Sequence, residues 1–210
     1  MITMQRGKFI VFEGIDGSGK STQVKLLSDR LKENGKDIYQ TFEPTNSPIG
    51  SLIRNILYGR IEGDEKTMAA LYLADRLDHI QNGTNGMLKQ IEAGKHVIAD
   101  RYYFSSYAYH VPHVTLDWVV NANSICAELL RPDLIVFVDI TTETSIERLS
   151  KGRTELDKYE NYERISTVRK NYFAALKRFE GKENVVIIDG NQRIEAVAND
   201  IWNLVAAILH

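Results

Sequence analysis

The 210-residue sequence holds a single cysteine, Cys126, so no disulfide can form within the chain. That cysteine lies in a helical, partly apolar stretch and reads as a small core side chain rather than a nucleophile. Long apolar runs are missing too: no window approaches the roughly 18 residues of a membrane span, and Met1-Ile2-Thr3-Met4-Gln5-Arg6 carries no signal-peptide core. The chain is therefore expected to be soluble and cytoplasmic, with no membrane partner. There is no excess of positive charge: 26 Lys and Arg face 28 Asp and Glu, for a formal charge of −2 and a pI near 6.2. This excludes the broadly basic surface that binds nucleic acid without sequence preference, and leaves room for a local basic pocket with a small anionic partner. Repeats and low-complexity segments are absent. The length suits one α/β domain with a full core.

What is present centres on one stretch. Phe9 to Phe12 is an apolar run that reads as a buried parallel strand. It runs into Gly14-Ile15-Asp16-Gly17-Ser18-Gly19-Lys20-Ser21-Thr22, where Gly14, four residues and then Gly19-Lys20-Ser21 fit the spacing of a phosphate-binding loop. The glycines let successive N–H groups turn inward at an anion, the lysine reaches the β- and γ-phosphates, and the Ser21 hydroxyl binds Mg²⁺. The following residues supply a helix, with Val24, Leu27 and Leu31 on one face and the positive end of its dipole at the loop. The plain alternative is a glycine-rich turn that binds nothing.

Along the rest of the chain, strands are expected at Asp37 to Phe42, His96 to Ala99, Leu134 to Val138 and Val185 to Ile188, with helices between them. Three of these strands end in an acid, at Asp100, Asp139 and Asp189. The Leu116 to Leu130 helix is expected to be interrupted by its asparagines. Asp100, at the end of a central strand, could hold the Mg²⁺ shell opposite the loop; the alternative is an ion pair with Arg101. Ser150 to Asn161 is rich in charged and hydroxylic residues and reads as a mobile flap. The expected fold is a three-layer α/β P-loop NTPase: a five-stranded parallel sheet with helices on both faces. One domain spans 1–210, with a mobile lid at about 150–161.

With these pieces in order, the chain closely resembles the thymidylate kinases, which phosphorylate dTMP to dTDP with ATP and Mg²⁺. The resemblance rests on the loop above, Glu43-Pro44, Tyr72-Leu73-Ala74-Asp75-Arg76, Asp100-Arg101-Tyr102 followed by Ser105-Ser106-Tyr107-Ala108-Tyr109, Arg131-Pro132-Asp133-Leu134, and Asp157-Lys158-Tyr159-Glu160. It implies that Lys20 neutralises the transferring phosphoryl group and that Asp16 lies near the acceptor's 3′-hydroxyl and phosphate. Arg101 and Arg54 would contact the acceptor phosphate, where a planar fork grips two oxygens. Asp100 would organise the Mg²⁺ waters with Ser21. Tyr72 would stack on thymine and Arg76 donate to its O4, both on one helix face; Ser106 would approach N3 and Tyr109 crowd the sugar's 2′ position. Glu43, Ser105 and Tyr159 fall in the matching acceptor segments. The lid would supply positive charge, with Arg153 the first candidate and Arg148 and Lys151 behind it. A homodimer is implied as well.

From spacing alone, Tyr72 reads rather as a core aromatic, and Arg54, Arg76 and Arg101 more strongly still as solvated or ion-paired surface side chains; only the resemblance reverses that order. This chain also departs from the resemblance: many bacterial relatives read Arg-Glu-Pro-Gly-Gly where it has Phe42-Glu43-Pro44-Thr45-Asn46, so one phosphate-binding arginine is missing. Competing functions are a deoxynucleoside kinase, which needs less positive charge than Arg54 and Arg101 provide, and a non-catalytic nucleotide switch. The guanine-reading Asn-Lys-x-Asp of GTP switches is not present. His110 and His113 form a weak candidate for a metal site.

Overall fold

The computed structural model describes residues 6–152 and 162–209. Its centre is a five-stranded parallel sheet in the order β2-β3-β1-β4-β5, made of β1 (Phe9–Glu13), β2 (Ile38–Phe42), β3 (His96–Asp100), β4 (Leu134–Asp139) and β5 (Val185–Asp189). The central strands are continuous apolar runs because both their faces are covered, and alternate residues serve opposite cores. Phe9, Val11, Val97, Ala99, Ile135 and Phe137 point into one cluster. Ile10, Phe12, Ile98, Leu134, Val136 and Val138 point into the other.

The second cluster is closed by α1 (Lys20–Glu33), through Val24, Leu27 and Leu31, and by α9 (Ile194–Leu209), through Val197, Ile201 and Val205. On the opposite face lie α4 (Met87–Glu92), α5 (Tyr103–Tyr109), α6 (Leu116–Leu129) and α8 (Tyr162–Arg178). Two further helices, α2 (Pro48–Leu57) and α3 (Glu65–Gln81), pack on each other through Ile53, Ile56 and Met68. Pro48 starts α2, where the missing N–H does no harm, and Ser47 caps it by accepting from the Gly50 N–H at 3.0 Å. Helix α7 (Thr142–Gly152) follows β4.

The five strands stand where the sequence pattern places them, Tyr103 to Tyr109 forms the short helix α5, and two details differ. The asparagines do not interrupt α6, because Asn123 is buried and its amide donates to the Val119 carbonyl one turn back at 2.9 Å. The segment expected to be a flap from Ser150 begins inside α7, which runs to Gly152; its other residues lie outside those described. Cys126 is buried in the core, and burial pushes its thiol up to about 11, as an inert side chain requires. Among the described residues, no helix is long and apolar enough to cross a membrane.

Candidate functional site

In a parallel sheet, ligands bind beyond the carboxyl ends of the strands, beside the point where strand order reverses. Here β1 lies between β3 and β4, and the loop after β1 leads directly into α1. Gly14 has φ 144°, and a Cβ there would stand 2.5 Å from the Val138 carbonyl oxygen, so no other residue fits. Gly17, at φ 74°, is closed in as well: a side chain would meet the Ser145 carbonyl at 3.0 Å. Ser145, on α7, donates its hydroxyl to the Asp16 carbonyl at 2.6 Å.

Lys20 begins α1 and folds back over the loop, donating to the Ile15 carbonyl at 2.9 Å and the Ser18 hydroxyl at 3.3 Å. Burial, reinforced by the nearby positive charge of Arg101, pushes its amine down to about 8. Arg148, on α7, donates to the carbonyls of Gly17 and Ser18 and, at 2.8 Å, to that of Gly190. Of the three lid candidates it is the one whose side chain is placed, against the loop; Arg153, the Lys151 side chain and Tyr159 lie outside the described residues. Thr22 is exposed on the first turn of α1.

The strand-end acids and arginines sort themselves differently from the simplest pairing. Asp100 does not pair with its neighbour Arg101; its Oδ2 accepts the Ser21 hydroxyl. Its Oδ1 is buried and has no hydrogen-bond partner among the described residues. A buried carboxylate oxygen left open beside the P-loop hydroxyl fits the water shell of a Mg²⁺ ion. Arg101 turns the other way, at φ 76°, and pairs with Asp16 in the loop. Its Nη1 also donates to Ser105 (3.1 Å) and, at 3.4 Å, to Tyr172 and the Gly14 carbonyl. The Tyr109 hydroxyl donates to the other oxygen of Asp16 at 3.0 Å. Asp16, Arg101 and Tyr109 therefore form one partly exposed cluster at the rim of the loop.

Arg76 is not the surface side chain its spacing suggests: it is wholly buried. Its Nε donates to Glu43 at 2.8 Å, and an Nη2 atom stands 2.7 Å from the same carboxylate oxygen. Nη1 donates to Ser106 (2.9 Å) and Asn123, and Nη2 to the Tyr102 carbonyl at 3.1 Å. Burial alone would lower its pKa, but Glu43 outweighs it and holds the guanidinium well above its ordinary value. Each of its three nitrogens thus has an acceptor in the protein. His79 bridges the other Glu43 oxygen, at 3.1 Å, to Thr41 at 2.6 Å.

Beside Arg76 on α3, Asp75 pins the loop after β2, accepting from the Thr45 N–H (2.7 Å), the Thr45 hydroxyl (2.6 Å) and the Ser47 hydroxyl (2.8 Å). Arg54 braces that loop from α2 through the carbonyls of Pro44 and Thr45, and donates to Ser51 at 3.1 Å. Phe42, standing where the missing arginine would be, is 44% exposed at the end of β2.

Tyr72 lies on the same α3 face and is half-buried, its ring 5.1 Å from that of His110. His110 is buried, and burial with the charge of Arg76 pushes its imidazole down to about 3, so it is neutral at physiological pH. The structure therefore gathers Lys20, Asp16, Asp100, Ser21, Arg101, Ser105 and Tyr109 at one edge, with Tyr72, Arg76, Ser106 and Glu43 behind. Asn123, His79, Tyr172 and Glu13 were missed by sequence reasoning; only Glu13, an acid ending an apolar strand, left a visible sign. Among the described residues no group of His, Cys, Asp and Glu could hold a metal ion by itself, and His110 and His113 do not make one.

A family model described as thymidylate kinase matches residues 12–201. A protein of Methanobrevibacter smithii named "Probable thymidylate kinase" is 38% identical over 201 residues, covering 94% of this chain and 94% of its own. Proteins with the same name from Thermococcus onnurineus and Pyrococcus horikoshii are 37% and 38% identical, over 94% and 95% of this chain and 96% of each of theirs.

Proposed function

The chain belongs to the thymidylate kinase family, and from that premise we propose that it transfers the γ-phosphoryl group of ATP to dTMP, giving dTDP and ADP. The observation that carries the reading is the adjacency of two cationic anion sites: the loop with Lys20, and Arg101 at the end of β3, which already touches the loop through Gly14 and Asp16. Phosphoryl transfer needs alignment and charge stabilisation more than covalent chemistry, and this edge of the sheet supplies both.

In this reading the residues from Gly14 to Thr22 cradle the triphosphate, and Lys20 leaves Ile15 and Ser18 for the transferring group. Arg101 holds the acceptor phosphate, aided by the Arg54 hydrogens that the Pro44–Thr45 carbonyls and Ser51 leave open. Asp16 then faces the acceptor's sugar and phosphate, with Tyr109 against the 2′ position. Tyr72 is the platform for the base. Arg76 forms its floor, where a base carbonyl shares the N–H groups that now go to Ser106 and Asn123, and Glu43 and Ser105 keep that floor and Arg101 in place. Asp100 and Ser21 would hold Mg²⁺, which when bound neutralises phosphate charge. The proposal includes Arg153 and Tyr159 in a lid at about 150–161 on a single domain, a cytoplasmic location, and a homodimer that sedimentation tests.

The deciding experiment couples ADP release to a panel of dTMP, dUMP, dCMP, dGMP, UMP and thymidine. The expected result is preference for dTMP, with dUMP close behind, since one methyl group in an apolar pocket contributes only about 1–3 kcal/mol. If dTMP is no better than dCMP or dGMP, the acceptor assignment fails. Thymidine turned over faster than dTMP makes the protein a deoxynucleoside kinase, and tight ATP binding without turnover makes it a switch.

A further inference from the structure

Glu13 ends β1 immediately before Gly14, is 1% exposed, and has no part in the chemistry described above. It is nonetheless fully engaged. Oε1 accepts the backbone N–H groups of Tyr102 at 2.9 Å and Ser105 at 3.1 Å, the entry to α5, which no side chain of its own caps. Oε2 accepts the hydroxyls of Ser105 at 2.7 Å and of Tyr172, on α8, at 2.9 Å. These are the two hydroxyl oxygens to which Arg101 Nη1 donates.

The direction of these bonds is what matters. Burial raises the Glu13 carboxyl, while the hydrogen bonds from Ser105, Tyr102 and Tyr172 and the nearby charge of Arg101 favour its ionised form. Ionised, it can only accept, so it draws the hydrogens of the Ser105 and Tyr172 hydroxyls, which also stand 2.9 Å from each other, and their oxygens turn lone pairs toward the Arg101 guanidinium, which can only donate. The backbone of Arg101 is held from both sides as well. Its N–H donates to the Phe12 carbonyl at 2.9 Å, and the next N–H, that of Tyr102, goes to Glu13. Between those two bonds the residue keeps its left-handed φ of 76°, a conformation an arginine rarely adopts unaided.

We propose that Glu13 is a positioning residue for phosphoryl transfer: its carboxylate sets the polarity of the Ser105 and Tyr172 hydroxyls and so aims Arg101 at the acceptor phosphate. The inference rests on the kinase reading above for what Arg101 does, and on geometry for how it is held. It also ties α8 to the phosphate site through Tyr172, whose ring packs edge-on to Tyr109 at 6.2 Å and at a tilt to Phe137 at 5.1 Å.

Glu13→Gln keeps the shape and reverses the polarity. The amide NH₂ must donate; one hydroxyl can then give its hydrogen to the other, 2.9 Å away, which leaves the second to turn its own toward Arg101, where donor meets donor. The expected result is a fall in kcat for dTMP phosphorylation of about 10- to 100-fold, the scale of one charge-assisted hydrogen bond. The KM for ATP should stay within about threefold, because the loop amides and Lys20 are untouched. Tyr172→Phe should lose less, and Glu13→Gln should add no more than about twofold to the loss in Arg101→Ala, since both act through one side chain.

A crystal structure of Glu13→Gln supplies the readout that needs no activity: the guanidinium should lie away from Ser105 and Tyr172. Wild-type turnover of dTMP tests the premise by itself. With that turnover in hand, an unimpaired Glu13→Gln, a loss that multiplies in full with that of Arg101→Ala, or an unmoved guanidinium overturns the relay alone.

Discussion

Arg76→Ala separates a buried structural cation from a side chain that merely reaches for a base. The substitution strands a Glu43 carboxylate that is 5% exposed, leaving it only His79, and removes the donors to Ser106, Asn123 and the Tyr102 carbonyl. Breaking one side of a buried ion pair costs about 3–5 kcal/mol, because the surviving charge stays out of water without compensation. That is a large share of the roughly 5–15 kcal/mol that holds a domain folded. For a chain of this size it corresponds to a fall in Tm of about 6–20 °C. Urea unfolding followed by far-UV circular dichroism measures it. Replacing both partners, as in Arg76→Met with Glu43→Leu, should recover part of the loss, since no lone charge remains. If Arg76→Ala unfolded at the wild-type urea concentration while dTMP binding vanished, the guanidinium would be facing the ligand rather than Glu43, and the buried network would be wrong.

Two other substitutions test separate parts of the site. Asp100→Asn leaves the Ser21 contact feasible but removes the charge that the proposal sets behind the Mg²⁺ waters; the Mg²⁺ concentration for half-maximal ADP release should rise about 10- to 100-fold, and an unchanged titration would refute the role. His110 is neutral in the fold at about 3 and ordinary, near 6.5, when unfolded, so the unfolded chain binds the extra proton between those values and stability falls as pH drops through that window. Between pH 7 and pH 5 this single group accounts for about 2 kcal/mol, and His110→Gln should lose that much less over the same interval in urea titrations; equal losses would place His110 in water.

Much of the molecule was legible in order along the chain. The loop from Gly14 to Thr22 could be found because its requirements are local: positive φ at Gly14, Gly17 and Gly19, a lysine and a hydroxyl at the start of a helix. The five strands could be found because burial on both faces forces a continuous apolar run. Asp100 beside Ser21 was legible as a possibility, while its competitor, a pair with Arg101, stayed open as the lesser alternative until φ at Arg101 sent that side chain toward Asp16. The asparagines of α6 misled because a polar residue in a helix looks like an interruption unless its partner is known, and Asn123 finds Arg76 47 residues away.

The residue order by itself determined the periodicities, the glycine-dependent turn and the acids at strand ends, since each depends on neighbours within a few positions. Only the tertiary structure decided which charges meet. Arg76 is interior because α3, α5 and α6 close over it with Glu43, and Glu13 governs Arg101 because Tyr172 arrives from 159 residues further on. The physical reason is that a buried polar group must find its partner in space, and the sheet, by packing helices on both faces, brings together donors and acceptors that no local pattern relates.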